Sequence, residues 1–367
     1  MRILFAGGGT GGHLYPGLAI ARALVALDPA VRPFFVGARR GIERDVLPTT
    51  EFPHALLDLH PLYRSRPWEN WRTARGAAAA WGALGRIARE ERPATVVGTG
   101  GYAAGLALGW AAARGVPLCI QEQNSYPGLT TRFFARWARE VYLGYPEAEQ
   151  LMPHRGAAFV DSGNPIQPPP APRPDRAAAR RAWGFPASGG RVLLVYGGSQ
   201  GSRAMNEVLD AWVDRGIPDG LHLIWATGKG THGAFARRDG ACGGRVVVRP
   251  YLAPIADAYA ASDFAVTRAG AMTTAELFAW GIPPVLVPLP TAAADHQTAN
   301  AVTLERAGAA IHLPQAELTP ERLDAVVREL VATPERLAAM AAAGQRRARP
   351  RAAAEIAARV LAVAKGR

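Results

Sequence analysis

The sequence predicts an α/β protein made of two parallel-sheet domains. Three observations predict it. Short apolar runs of β type alternate with Ala/Leu/Arg-rich stretches of helical spacing, the pattern of a parallel sheet covered on both faces. The pattern occurs as two separate series, each opening on a strand-like run that enters a glycine-rich turn. A proline-dense segment stands between the series, and 367 residues suit two cores better than one.

The first series has strand-like runs at residues 2–6, 33–37, 95–98, 117–121 and 141–143, the second at 191–196, 222–226, 245–249, 264–267 and 284–288. Between them, Asn164-Pro165-Ile166-Gln167 continues into Pro168-Pro169-Pro170-Ala171-Pro172-Arg173-Pro174. Proline removes backbone donors and favours extended chain, so no helix or central strand can run through this segment. The expected organisation is a Rossmann-like domain at 1–164, a linker at 165–175, a second Rossmann-like domain at 176–340, and a helical segment at 341–367 able to pack back on the first domain.

Apolar residues make up 49% of the chain and charged residues 20%, near the globular average, so composition carries no functional weight. The net charge of +12 is shared by both halves and favours anionic ligands such as nucleotides, diphosphates or acidic lipid surfaces. No recognition helix, zinc-finger spacing or aromatic RNA-binding signature accompanies it, so nucleic acid is not an expected partner. Cys119 and Cys242 lie far apart beside apolar segments, which argues against a metal cluster or a disulfide and fits a reducing compartment. Met1-Arg2-Ile3-Leu4-Phe5-Ala6 runs straight into glycines and leaves no room for a signal peptide, so the expected location is the cytoplasm. The most apolar run, 103–113, falls well short of the ~20 residues of a spanning helix, so any membrane contact is expected to be peripheral.

The first glycine turn is Gly7-Gly8-Gly9-Thr10-Gly11-Gly12-His13, followed beyond Pro16 by helix-like spacing. Glycine admits positive φ and close ligand approach, and amides at a helix start attract anions, so a diphosphate or sugar can sit there. No Lys-Ser/Thr follows as in a Walker A loop, and no acidic residue stands clearly at the dinucleotide-fold distance. A tight strand-to-helix turn without a ligand is the alternative. His13, placed near a helix N-terminus, has its protonated form disfavoured and so can accept a proton as a general base. A histidine satisfied by local hydrogen bonds is the competing explanation.

The second turn is Gly197-Gly198-Ser199-Gln200-Gly201-Ser202-Arg203. Ser199 can add a hydroxyl to an amide cradle, while Arg203 either offsets phosphate charge or faces solvent. Further on, Arg268-Ala269-Gly270-Ala271-Met272-Thr273-Thr274-Ala275-Glu276 puts small residues before a helix at a strand's C-terminal end, where open parallel sheets bind ligands. Glu276 can accept two hydrogen bonds from a ribose diol, or only favour the helix dipole. In Asp295-His296-Gln297, Asp295 can cap a helix, and Gln297 can both donate and accept, as sugar hydroxyls require. No Asp-x-Asp motif occurs, so leaving-group charge is expected to rest on amides, dipoles and side chains, with no metal ligands.

Taken together, Gly8-Gly9-Thr10-Gly11-Gly12-His13, Gly100-Gly101-Tyr102, Glu122-Gln123-Asn124, Gly163-Asn164-Pro165, Gly197-Gly198-Ser199-Gln200-Gly201, the run from Arg268 to Glu276, and Asp295-His296-Gln297 resemble the MurG family of bacterial peptidoglycan glycosyltransferases over essentially the whole chain. The resemblance implies a GT-B fold with an active site in a cleft between two Rossmann-like domains. It implies UDP-GlcNAc as donor substrate, no required cofactor, and inverting transfer of GlcNAc to the C4 hydroxyl of undecaprenyl-diphosphate-linked MurNAc-pentapeptide, lipid I, giving lipid II. By position, Thr10, Gly11, Gly12, Asn124, Ser199, Leu252, Ala271, Met272, Thr273, Thr274, Ala275, Glu276 and Gln297 are expected to contact the donor, with His13 as the base. Gln167 stands where the family usually has arginine, which puts one donor contact in doubt. The implied setting is the cytoplasmic face of the cell membrane, in cell-wall biogenesis that supports cell shape and division, alongside other cell-wall synthesis proteins.

A lipid-linked acceptor calls for a surface that meets an anionic membrane. Leu62-Tyr63-Arg64-Ser65-Arg66-Pro67-Trp68-Glu69-Asn70-Trp71-Arg72 interleaves aromatics with arginines, Trp81, Leu84 and Ile87 follow at helical spacing, and Arg132-Phe133-Phe134-Ala135-Arg136-Trp137 forms a second such patch. Trp68, Trp71, Arg72 and Trp81 are the expected membrane contacts of the first; an aromatic stripe buried in the core is the alternative for both. Two other functions fit the donor motifs: a UDP-GlcNAc epimerase of related fold, which needs no acceptor, and a non-catalytic UDP-sugar-binding protein.

Overall fold

Each of the two series folds into its own parallel sheet. The computed structural model describes residues 1–59, 68, 70–154, 156–198 and 200–366, with the backbone alone at 70–75. The first unit runs β1 (Arg2–Ala6), α1 (Gly11–Leu27), β2 (Arg32–Ala38), α2 (Glu43–Val46), β3 (His54–Leu57), α3 (Asn70–Glu91), β4 (Thr95–Gly98), α4 (Gly101–Arg114), β5 (Leu118–Glu122), α5 (Leu129–Phe134), β6 (Glu140–Leu143) and β7 (Ala158–Asp161). Its strands pair in the order β3-β2-β1-β4-β5-β6-β7, all parallel. Successive side chains leave a strand on opposite faces, and both faces are apolar. Leu4, Val96 and Ile120 pack with Leu84 and Leu108 from α3 and α4, whereas Ile3, Phe5 and Val97 pack with Leu18 and Leu24 from α1.

The second unit runs α6 (Arg176–Ala182), β8 (Arg191–Tyr196), α7 (Arg203–Asp214), β9 (Leu221–Ala226), α8 (His232–Phe235), α9 (Ala241–Gly244), β10 (Val246–Arg249), α10 (Ile255–Ala261), β11 (Phe264–Thr267), α11 (Ala271–Trp280), β12 (Pro284–Leu286), α12 (His296–Arg306), β13 (Ile311–His312), α13 (Pro320–Ala332) and α14 (Pro334–Arg347). Its order is β10-β9-β8-β11-β12-β13. The last helix, α15 (Ala352–Ala364), lies on α1 and inserts Ile356, Ala357 and Val360 into the first unit's core.

Three strands lie outside the expected series: β3, β7 and β13. All three are sheet edges covered only in part, so their short apolar stretches, such as 55–57 and 158–160, do not stand out as the runs of central strands do. The units divide as 1–167 with 349–367, and 168–348, so the boundaries differ from 164, 175 and 340. The stretch expected as a linker is docked: Arg173 donates to the carbonyls of Ala279 (2.6 Å) and Trp280 (3.2 Å) within the second unit. Residues 341–347 finish α14, which packs on α11, with Gly344 against the Phe278 ring.

Helix α6 is tied to the sheet by one carboxylate. Asp263, at the start of β11, accepts from Arg176 (3.0 Å), Arg180 (2.6 Å), Arg191 (3.4 Å) and the Val192 amide (2.7 Å). Arg180 is itself buried, so losing Asp263 strands a charge. Asp263→Ala is expected to lower the unfolding free energy of this unit by about 3–5 kcal/mol, measured by urea unfolding. A loss below about 1 kcal/mol would show that the cluster is no anchor.

Candidate active site

In each sheet two strands lie side by side whose following connections leave in opposite directions: β1 and β4 in the first, β8 and β11 in the second. The loops after such strands diverge and open a crevice at the sheet's C-terminal edge, where open α/β sheets bind ligands. Both glycine turns, and the residues after β4 and β11, stand at these points.

In the first unit the turn after β1 rests against the turn after β4. Gly101 has φ +75°, and a Cβ there would lie 2.0 Å from the Gly8 carbonyl oxygen, so only glycine fits. His13 is the third residue of α1, which starts at Gly11, earlier than the sequence spacing suggested. Its Nδ1 lies 3.0 Å from Thr10 Oγ1, and its carbonyl accepts from Thr99 Oγ1 at 2.7 Å. Pro16, inside α1, lacks the amide that would bond the Gly12 carbonyl, which leaves that oxygen without its helical partner at the edge of the turn. Beneath the turn, the fully buried Glu43 accepts from the amides of Gly9 (2.9 Å) and Ala38 (3.1 Å).

The end of β5 adds a buried polar network to the same edge. Gln123 donates to the Thr99 carbonyl (2.8 Å), Gln121 to Asn164 Oδ1 (3.1 Å), and Asn164 to the Gln123 carbonyl (3.0 Å). Glu122 accepts from the amides of Asn124 and Gly128, both at 3.1 Å, and from Asn124 Nδ2 at 3.4 Å. Burial pushes the Glu122 carboxyl up, and the hydroxyl of Thr131 with these amides pulls it back. Asn124 is thereby fixed at the mouth of the network.

In the second unit the turn after β8 leads to α7, whose first-turn Met205 amide bonds to Ser202 Oγ (3.4 Å). Gly201 packs on the turn after β9, where a Cβ would lie 2.1 Å from the Thr227 carbonyl oxygen. Arg268, directly after β11, is 7% exposed and donates to Ser202 Oγ (2.7 Å), Gln315 Oε1 (2.6 Å) and the carbonyls of Val287 (3.2 Å) and Pro288 (2.9 Å). It makes no ion pair among the described residues, and burial lowers its pKa. Helix α11 then presents the amides of Met272 and Thr273 at its start and Glu276 one turn on. Burial raises the Glu276 carboxyl, and a hydrogen bond from Tyr259 (2.8 Å) opposes it. One site thus offers an imidazole beside a glycine turn, the other an anion cradle with a buried cation and a carboxylate.

The chain matches the glycosyltransferase family 28 N-terminal domain over residues 3–143 and the family 28 C-terminal domain over residues 192–356. It is 42% identical to the UDP-N-acetylglucosamine--N-acetylmuramyl-(pentapeptide) pyrophosphoryl-undecaprenol N-acetylglucosamine transferase of Salinibacter ruber, covering 99% of this chain and 96% of that protein. It is 40% identical to the same-named protein of Moorella thermoacetica, with 95% of each covered. The crystal structure of Acinetobacter baumannii MurG superposes with a TM-score of 0.76 at 27% identity, covering 98% of this chain and 99% of that one. The chain belongs to the MurG family. It is a glycosyltransferase of GT-B class.

Measured against the MurG family's expected contacts, Thr10, Gly11, Gly12, His13 and Asn124 share the C-terminal edge of the first sheet. In the second unit, Ala271, Met272, Thr273, Thr274, Ala275 and Glu276 form the start of α11. Thr274 is buried, its hydroxyl returns to the carbonyls of Gly270 and Ala271, and its amide bonds the Gly270 carbonyl, so the structure does not offer it to a donor. Leu252 is a core residue packed with Tyr196 and Tyr259. Gln297 Oε1 accepts from the Leu289 amide at 3.0 Å, which leaves its two N–H donors for a ligand. Asp295 occupies the N-cap position of α12 without a capping bond, and accepts instead from Thr298 Oγ1 at 2.7 Å. Gln167 is exposed. Ser199 and the side chains of Trp71 and Arg72 lie outside the described residues, as does most of the 62–72 segment.

Two readings that the sequence left open fall to the alternative. Arg203 points to solvent near Glu207, and the cation at the second turn is the buried Arg268. Leu84 is fully buried and Ile87 packs on the core, so that stripe is mostly interior, with Trp81 at its rim. Glu43 was not foreseen, because a single acid between exposed arginines carries no pattern; Arg268 had a signal, a charge placed directly after a fully buried strand, Phe264-Ala265-Val266-Thr267. Glu43→Ala is expected to speed hydrogen exchange at Gly9 and Ala38 by about tenfold or more while β1 stays protected, because two buried amides lose a charged acceptor. Unchanged exchange at both amides rules out the brace.

Proposed function

We propose that this chain moves GlcNAc from UDP-GlcNAc to the C4 hydroxyl of MurNAc in lipid I, forming lipid II and UDP with inversion at the anomeric carbon. The unequal equipment of the two switch points carries the mechanism. The acceptor hydroxyl attacks the anomeric carbon, the bond from that carbon to the diphosphate oxygen breaks, and the hydroxyl proton passes to His13. In this mechanism Nδ1–H donates to Thr10 Oγ1, 3.0 Å away, which leaves Nε2 to accept the proton.

The donor is read mainly by the second unit. Leu252 flanks the uracil, Glu276 takes the ribose diol, and Met272, Thr273, Ala275 and Gln297 serve the nucleotide and the sugar. The diphosphate sits on the second glycine turn and the start of α7, with the field of Arg268 opposing the charge that grows on the leaving group. Thr10, Gly11, Gly12 and Asn124 contact the donor's sugar, on the side from which the acceptor comes. UDP-GlcNAc is a substrate, and the reaction as written draws on no further cofactor.

No helix among the described residues is long and apolar enough to cross a membrane. The proposed location is peripheral, on the cytoplasmic face of the cell membrane, where lipid I and other cell-wall synthesis proteins are met. Phe133 (52% exposed), Trp137 (46%) and Leu129 (50%) form an outward apolar patch, with the Arg136 guanidinium over both aromatic rings at 5.1 and 5.2 Å. Trp68 is 70% exposed and supports the first segment's role.

The deciding experiment follows labelled GlcNAc from UDP-GlcNAc to a lipid I analogue, with a donor-only control. Transfer is expected only with acceptor; epimerised donor without acceptor, or no transfer by folded protein, overturns the proposal. His13→Ala is expected to cut kcat by about 10²–10⁴ while leaving UDP-GlcNAc affinity within a few-fold; near-normal turnover removes His13 as the base. Replacing Phe133 and Trp137 together by serine is expected to weaken binding to anionic phospholipid vesicles by about tenfold in a co-sedimentation assay. Binding that ignores both the substitution and the anionic lipid content eliminates this patch as a membrane contact.

A further inference from the structure

Three elements of the second unit converge on Glu276. Tyr196 ends β8, Tyr259 lies in α10, and Glu276 lies in α11. Tyr259 Oη donates to Glu276 Oε2 at 2.8 Å, and the Tyr196 and Tyr259 hydroxyls are 2.9 Å apart. Both rings are buried, and Tyr259 packs on Trp280 with centroids 5.7 Å apart. Burial raises both phenol pKa values, so each keeps its single proton. The Tyr259 proton goes to the carboxylate, so the Tyr196 proton goes to Tyr259. The chain of donation runs one way, Tyr196 to Tyr259 to Glu276.

A carboxylate can accept both hydroxyls of a ribose diol only while its plane is held in one orientation. Glutamate reaches that plane through three side-chain torsions, and ordering them costs entropy unless another contact has already done so. We propose that Tyr259 is the positioning residue that sets the Glu276 carboxylate for the ribose diol, with Tyr196 holding Tyr259. This rests on the reading of Glu276 as the ribose ligand. Tyr196 directly precedes Gly197-Gly198, so the strand that delivers the diphosphate turn also braces the ribose ligand. The separation between the two recognition points is then built into the packing of β8, α10 and α11, which suits a ribonucleoside diphosphate over its deoxy counterpart.

The test is calorimetric titration of the full chain with UDP and with 2′-deoxy-UDP. The unaltered protein is expected to prefer UDP by about tenfold or more, and Glu276→Ala to lose the preference. Tyr259→Phe is expected to bind UDP about tenfold more weakly while its affinity for 2′-deoxy-UDP, which keeps only the 3′ hydroxyl, falls by a clearly smaller factor. Because Tyr259→Phe leaves the buried Tyr196 hydroxyl without its acceptor, the Tyr196→Phe/Tyr259→Phe protein provides a second arm, with the same selective loss expected. No preference in the unaltered protein, or an undiminished one in Glu276→Ala, overturns the ribose reading of Glu276 itself. Where that preference exists and depends on Glu276, phenylalanine variants that keep it in full overturn the role of Tyr259. So do variants that lose affinity for both nucleotides alike.

Discussion

At both sites main chain touches main chain, and the rest of the chemistry is arranged around that contact. The Gly8 carbonyl lies where a side chain on Gly101 would begin, and the Thr227 carbonyl lies where one on Gly201 would begin. With no Cβ between them, the turns after neighbouring strands close on each other, and the surface left for a ligand is made of amides and helix starts. Such a surface is rigid and polar without carrying a full charge, so it can meet a diphosphate or a sugar with little reorganisation. Each contact has a buried brace. Glu43 holds the first turn through Gly9 and Ala38. Asn206 holds the second by donating to the Thr227 carbonyl (2.8 Å) and Thr231 Oγ1 (3.1 Å) while accepting from Trp225 (2.9 Å).

The two sites differ in the charge they bury. The first has two buried acids, Glu43 and Glu122, both satisfied by amides of their own unit. The second has a buried guanidinium whose four acceptors are neutral. Taking a cation out of water costs several kcal/mol even after relaxation, and neutral hydrogen bonds recover only part of it. On the proposed mechanism an arriving diphosphate offsets the remainder. On that reading the stability given up in burying Arg268 is regained on the leaving group, the direction in which a transferase gains from it.

Central strands and glycine turns were legible in the sequence because they are the parts whose physics is local. A strand covered on both faces must be a continuous apolar run, and β1, β4, β8 and β11 read as such to the residue. Edge strands such as β7 and β13 owe their existence to one neighbour and leave only short, partly buried stretches. The site divides in the same way. His13, Glu276 and the turns are announced by neighbours in sequence, whereas Glu43, Arg268 and Tyr259 act on residues far along the chain. Tyr259 sits 17 positions before the carboxylate it holds and 63 after the phenol that holds it, and no spacing rule connects them.

The separation of duties also bounds what His13 can contribute. A general base supplies about 10²–10⁴ in rate, while enzymes commonly achieve accelerations of about 10⁶ or more. The remainder has to come from holding acceptor and anomeric carbon in line and from stabilising the departing diphosphate. In the mechanism proposed above those tasks fall to the amides, the start of α7 and Arg268, none of which depends on the imidazole. Loss of the base therefore slows the reaction without abolishing it, whereas loss of the cradle removes the larger share even with His13 intact. On the proposed mechanism, the glycine turn that carries the histidine gives the transfer its direction, and the turn beside Arg268 gives it most of its speed.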